Sequence, residues 1–186
     1  MGRWEPNARG RLETAALELY LEDGFDQTTV AGIAARAGLT ERTFFRHYAD
    51  KREVLFGGAG FLQDLLVDSV TATPASVAPI DAIATALEHA GTFLQERRAH
   101  SLQRQAVIEA NPLLQERELI KLARLASALA EALRGRGVTE PTASLTAEAG
   151  LAVFRVAFET WVDPAETREL PQVIRDSMAA LRTITT

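Results

Sequence analysis

The 186-residue sequence contains no cysteine, which removes a disulfide framework, a thiolate metal site and a thiol nucleophile together. No apolar run approaches the roughly 20 residues of a membrane span, and the N-terminus lacks the apolar core of a signal peptide. The expectation is a soluble cytoplasmic protein with no membrane partner. Histidine is also scarce, and His89 and His100 lie too far apart in sequence for the i, i+3 or i, i+4 spacing of a helical metal site, so no metal is expected. There is no Gly-x-Ser-x-Gly, no His-Glu-x-x-His and no dinucleotide fingerprint. The glycine-rich run Phe56 to Phe61 lacks the Lys-Ser/Thr ending and the preceding strand of a phosphate loop. A paired-carboxylate site is the catalytic option left, because Asp and Glu are spread along the chain. The reading is therefore a protein that is not an enzyme and needs no cofactor.

What is present is an ordinary globular composition, 47% hydrophobic and 24% charged, in a chain long enough for one or two domains. The formal net charge of -5 argues against a nucleic-acid partner only if the charge is spread evenly. It is not. Residues 1–52 carry eight Lys/Arg (Arg3, Arg9, Arg11, Arg36, Arg42, Arg46, Lys51, Arg52) against eight Asp/Glu, so the acidic excess lies entirely in 53–186.

No stretch alternates as a strand does, and the pattern is all-α throughout, with about nine helices. Leu12, Ala16, Leu19 and Tyr20 line one face of a first helix between Asn7 and Asp23, which Gly24 stops. Thr28 or Thr29 caps a short second helix over 30–37, and Gly38 ends it in a position that favours left-handed backbone. Thr40 caps a third helix to about Tyr48. Two short helices across a tight glycine turn form a helix-turn-helix. A fourth helix is expected from Asp50 to Val70, then a proline-containing linker over 71–79. Further helices follow at about 80–97, 101–110, 112–134, 142–162 and 171–184, with Pro112, Pro141 and Pro171 suiting first turns.

The third helix has what a major groove requires: polar groups in its first turn, basic groups within reach of phosphate and an apolar back. Thr40, Glu41, Arg42 and Thr43 occupy that turn, and Arg46 lies one turn beyond Arg42. Phe44 and Tyr48, four apart, face the core. Phe45 then either turns outward, where it can contact a thymine methyl, or joins the core as another aromatic. Lys51, and Thr28 or Thr29, are placed to hold phosphates on either side of the groove.

The sequence resembles the TetR family of transcriptional regulators. The resemblance rests on Ala15 to Tyr20 followed by Gly24-Phe25, then Thr28-Thr29-Val30, Ile33-Ala34, Ala37 to Thr40, Thr43 to Tyr48 and Asp50-Lys51, within residues 8–56. It implies a three-helix DNA-binding domain, here 1–49, on a larger helical effector-binding and dimerisation domain, here 50–186. It further implies a homodimer on a palindromic double-stranded DNA operator, acting as a repressor until a small-molecule effector releases it. Carried over by position, Glu41, Arg42 and Arg46 are base or groove contacts. Thr43, His47, Lys51 and Thr28 or Thr29 are phosphate contacts. Phe45 departs from the family's usual tyrosine and has no hydroxyl for a phosphate.

The last two helices are expected to form the dimer face. Ala147, Gly150, Leu151, Phe154, Ala157, Phe158 and Trp161 surround most of the first, and Ile174, Met178, Ala179 and Leu181 mark the second. An ordinary intrachain core is the alternative. His89, Phe93, Arg104, Ile108, Phe154, Phe158 and Trp161 lie on helices that can surround an effector of unknown identity. Gly57, Gly58 and Gly60 interrupt the fourth helix, either as a hinge or to let helices pack closely. A rival to DNA binding is a helical effector-binding or protein-interaction module, favoured by the even charge balance of residues 1–52.

Overall fold

The structure is a computed structural model that describes residues 7–184, and all the regular structure in that range is helical. Ten helices follow one another: α1 (Ala8–Glu22), α2 (Val30–Arg36), α3 (Glu41–His47), α4 (Lys51–Val54), α5 (Ala59–Ala72), α6 (Pro79–Gln95), α7 (Arg98–Glu109), α8 (Pro112–Gly135), α9 (Thr142–Trp161) and α10 (Leu170–Ile184). The tenth arises because the expected fourth helix is broken. Asp50 caps α4 by accepting from the Arg52 and Glu53 amides, but the helix stops at Val54 and restarts at Ala59. Two glycines in the intervening turn, each costing about 1 kcal/mol within a helix, make interruption cheaper than continuation.

The three glycines of this run differ in their surroundings. A Cβ on Gly57 would meet the Glu13 carboxylate and the Tyr48 hydroxyl, whereas Gly58 and Gly60 face open space. Close packing therefore accounts for Gly57 alone. Gly57→Ala is expected to lower stability by about 1–3 kcal/mol through overpacking. Gly60→Ala, within the first turn of α5, should raise it by up to about 1 kcal/mol. Urea unfolding of both variants checks the contrast, and equal shifts of one sign would refute it.

The chain divides into two compact units. The first comprises residues 1–59 with 103–116. Its core gathers Leu12, Ala16, Leu19 and Tyr20 of α1, Ile33 of α2 and Phe44 of α3, closed by Val107, Ile108 and Leu114 from far along the sequence. Gly38 adopts φ +66°, and the Leu39 amide returns to the Ala34 carbonyl at 2.8 Å, so α2 ends in the left-handed cap expected of it. Arg104 and Ile108, expected beside an effector, belong to this unit instead. Arg104 donates to the Leu55 carbonyl at 2.8 Å and covers the Phe56 ring, and Ile108 is core.

The second unit, residues 60–102 with 117–186, packs α6, α9 and α10 about a core that includes Ile83, Leu87, Phe154, Trp161 and Ile174. α6 and α10 run antiparallel, pinned by Arg175–Glu88 at 2.9 Å and by Arg182–Asp81. Gly91 lets them approach, since a Cβ there would stand 2.8 Å from Ile174 Cδ1. Gln95 Oε1 accepts from Trp161 Nε1 and from the Leu170 amide, both at 2.9 Å, and so ties the end of α9 to the start of α10. Arg98 completes this end by donating to the Trp161 and Glu166 carbonyls at 3.1 and 2.8 Å.

This packing places most of the residues expected at the dimer face in the core of their own chain. Ala147, Gly150, Leu151, Phe154, Ala157 and Trp161 are buried within their own chain, Phe158 packs against the same core, and Ile174 and Met178 join them. A helix apolar on two sides has two candidate interfaces, and composition does not say which one is internal. The outward side of α9 is a second stripe made of Leu145, Ala149, Ala152 and Val156, in which Leu145 is 66% and Val156 51% exposed.

Candidate nucleic-acid interface

Local chemistry sets the short helix α3. The Thr40 side chain accepts from the Thr43 amide at 3.2 Å, and the two hydroxyls stand 3.1 Å apart. Glu41 occupies the first turn, where the helix dipole favours a carboxylate, and Arg46 and His47 the last, where it favours cations. Phe44 is fully buried and Tyr48 nearly so, which fixes the rotation of the helix. Glu41, Arg42, Phe45, Arg46 and His47 are in consequence exposed, with Thr43 half-buried at the edge. Phe45 is turned outward at 55% exposure, its ring edge-on to Phe44 at 5.5 Å.

Several acids of this unit are held in ion pairs away from α3. Arg36 holds Glu18 and Glu22 at 3.3 and 2.7 Å, Arg52 pairs with Asp50, and Arg9 with Glu13. The hydrogen bond from Arg36 keeps the Glu22 carboxyl below its ordinary range. Half of the eight acids in residues 1–52 are thus engaged by arginines outside α3. Arg42 and Arg46 make no ion pair among the described residues. The even formal balance of this segment does not describe the face that α3 presents.

Behind the helix, Tyr48 donates to Glu13 Oε1 at 2.6 Å and accepts from Arg9 Nε at 3.2 Å, and Arg9 also reaches the Gly57 carbonyl. Burial, and then the bond to Glu13, push the Tyr48 phenol well above its usual range. It stays a neutral donor at any physiological pH. Sequence reading placed Tyr48 in the core by its spacing from Phe44 but missed this polar triad. The one signal available was Arg9 four residues before Glu13 on α1.

Two expected phosphate contacts, Thr28 and Lys51, are placed differently. Thr28 is buried and its hydroxyl donates to the Gly24 carbonyl at 2.8 Å, so it faces away from solvent. Thr29 is the exposed member of the pair and caps α2 by accepting from the Gly32 amide at 3.0 Å. Lys51 extends its ammonium to the carbonyls of Phe25, Asp26 and Thr28 at 2.7, 3.2 and 2.8 Å and lies over the Phe25 ring. A lysine with three donors so engaged holds the loop that carries Thr29 rather than reaching for phosphate. Lys51→Met is expected to destabilise the protein by about 1–2 kcal/mol in urea unfolding. A lysine serving phosphate alone would leave stability unchanged and lower the salt dependence of binding instead.

No helix of the described residues is long and apolar enough to cross a membrane, and none of their His, Asp and Glu residues gather in groups of three that could hold a metal.

Among known proteins, the model of bacterial regulatory proteins of the tetR family matches residues 13–56, and that of the MftR C-terminal domain matches residues 77–185. The chain belongs to the TetR family. As a member it is a DNA-binding transcriptional regulator whose helix-turn-helix is α2 and α3. Relatives include the HTH-type transcriptional regulator TcmR of Streptomyces glaucescens, 36% identical over 78 residues, which are 42% of this chain and 34% of TcmR. This chain thus matches about a third of TcmR's length. The mycofactocin biosynthesis transcriptional regulator MftR of Mycobacterium tuberculosis is 26% identical over 165 residues, 87% of this chain and 83% of MftR. The structure of the transcriptional regulator FadR of Bacillus subtilis, in complex with stearoyl-CoA, shares the fold with a TM-score of 0.62 at 18% identity, over 92% of this chain and 96% of that one. These relatives are regulators, not enzymes.

The other residues expected beside an effector, His89, Phe93, Phe154, Phe158 and Trp161, lie in the second unit. His89 is exposed and 2.9 Å from the Ser69 hydroxyl, while Phe93 is half-buried against Phe61 and beneath Arg97. Phe154, Phe158 and Trp161 form a continuous aromatic run along α9, with ring centroids 6.0 and 5.6 Å apart.

Proposed function

We propose that this regulator is a repressor that acts in the cytoplasm as a homodimer on a palindromic operator and leaves it when a small molecule binds the second unit. The observation that carries the proposal is the outward face of α3, where Arg42 and Arg46 stand without a neutralising carboxylate on a helix whose rotation Phe44 fixes. Glu41, Arg42 and Arg46 read base edges, and Phe45 meets a thymine methyl. Thr29, Thr40, Thr43 and His47 contact the backbone and set the register.

The dimer forms through α9 and α10, and a palindromic operator offers its two half-sites to the two copies of α3 in successive major grooves, about 34–36 Å apart. The effector is recognised by partly apolar surface around Phe93 and Phe158, the half-buried aromatics of the second unit. It lowers DNA affinity by binding the DNA-free arrangement more tightly, since a ligand shifts an equilibrium only by its differential affinity.

Fluorescence anisotropy on duplexes from the DNA flanking the coding region, at several salt concentrations, tests the reading. Selective, salt-sensitive binding supports it. An absence of selective binding at low salt and in genome-wide selection would leave a helical interaction module as the better account.

A further inference from the structure

The outward stripe of α9 is self-complementary in a way that specifies its partner. Leu145, Ala149, Ala152 and Val156 recur at helical spacing on the side opposite Ala147, Gly150, Phe154 and Ala157. Along one edge of the stripe, seven residues and so two turns apart, stand Glu148 and Arg155, both exposed and without an ion pair among the described residues. The outward residues of α10 are small or polar through Gln172, Asp176, Ala179 and Thr183, and the exposed Ile184 stands only at its last position. Of these two helices, α9 carries the outward apolar stripe that runs for several turns.

We infer that α9 packs against α9 of a second copy, antiparallel across a two-fold axis at the level of Gly150 and Leu151. Leu145 then meets the partner's Val156, Ala149 the partner's Ala152, and Glu148 the partner's Arg155. The inference rests on the homodimer proposed above and adds its register.

Geometry supports each pairing. In two antiparallel helices related by a two-fold axis, residues equally far from the centre lie opposite one another, and the same edge of both helices abuts. The three pairs share a centre to within one residue, about 1.5 Å along the helix. The same rule operates inside the chain, where Asp81–Arg182 and Glu88–Arg175 share one centre between antiparallel α6 and α10. Alanines at the centre allow an interaxial distance near the short end of the usual range of about 8–10 Å. Leucine against valine fills the ends, where the helices diverge. Because the contact is isologous, the Glu148–Arg155 pair occurs twice, whereas a parallel two-fold arrangement would put these edges on opposite sides of the helix pair and leave both charges unmatched.

The register is tested with Glu148→Arg and Arg155→Glu. Each variant alone sets two like-charge pairs across the axis, and its dimer should dissociate about ten-fold or more easily in sedimentation velocity. Both positions are exposed, so far-UV circular dichroism should stay unchanged. An equimolar mixture of the two variants restores opposite charges at both positions. It should form a heterodimer of wild-type affinity, resolved by mass in native mass spectrometry, and the double variant should recover as a homodimer. A wild-type dimer whose single variants dissociate no more easily, or whose mixture shows no preference for the heterodimer, would overturn the register and leave the dimer standing. A wild-type chain that stays monomeric at high concentration would overturn the dimer itself.

Discussion

Arg46→Ala is expected to weaken operator binding by about a hundred-fold or more while leaving the fold intact. Arg46 is exposed on α3 and contributes nothing to the buried core, so its loss costs the free protein little. A good bidentate arginine contact to a guanine is worth about 1–3 kcal/mol, and a dimer on a palindrome makes it twice. Anisotropy titrations on the operator and on a scrambled duplex separate two roles for this side chain. A base contact loses affinity on the operator and keeps it on the scrambled sequence. A phosphate contact weakens both equally and lowers the salt slope by about one per contact. Unchanged affinity on both duplexes would remove α3 as the reading element.

The second large effect is on stability. Trp161→Ala should lower the unfolding free energy by about 3–5 kcal/mol, a large part of the roughly 5–15 kcal/mol that holds a typical domain. Trp161 is fully buried at the junction of α6, α9 and α10, and its removal leaves a void beneath Arg98, which lies over its ring. The indole also serves Gln95, whose side-chain oxygen accepts from it and from the Leu170 amide. Trp161→Phe should cost markedly less, because the ring volume is partly kept while both variants lose only the indole bond to Gln95. Urea unfolding followed by circular dichroism measures both. Equal losses from the two substitutions would show that the hydrogen bond, not the packing, dominates this junction.

The contrast between what was legible in the sequence and what was not follows the range of the interactions. The helix-turn-helix was legible because its determinants are local. Thr29 and Thr40 cap within three residues, Gly38 ends α2 within two, and the Phe44–Tyr48 spacing fixes which side of α3 is buried. Phe45 turned outward for the same reason. The break after α4 was half legible, since the glycines were visible but the turn they permit was not. Lys51 was misread because its three acceptors are backbone carbonyls more than twenty residues away, and carbonyls carry no sequence signature. Arg104 and Ile108 were assigned to the effector region by their place in the chain, yet they pack with the first unit. On α9 composition showed two apolar sides, and only the packing of α6 and α10 reveals which one is already covered.

The participation of Val107, Ile108 and Leu114 in the first core has a consequence for how the protein is made. The reading head is not a severable N-terminal module. A nascent chain that has emerged only through α4 holds every groove-facing side chain but lacks part of the core that supports them. Synthesis must pass residue 116 before that core can close, by which point α5 and α6 have already left the ribosome. The first unit therefore completes its core only after α5 and α6 have been made, and a chain terminated before residue 107 lacks the side chains that close it.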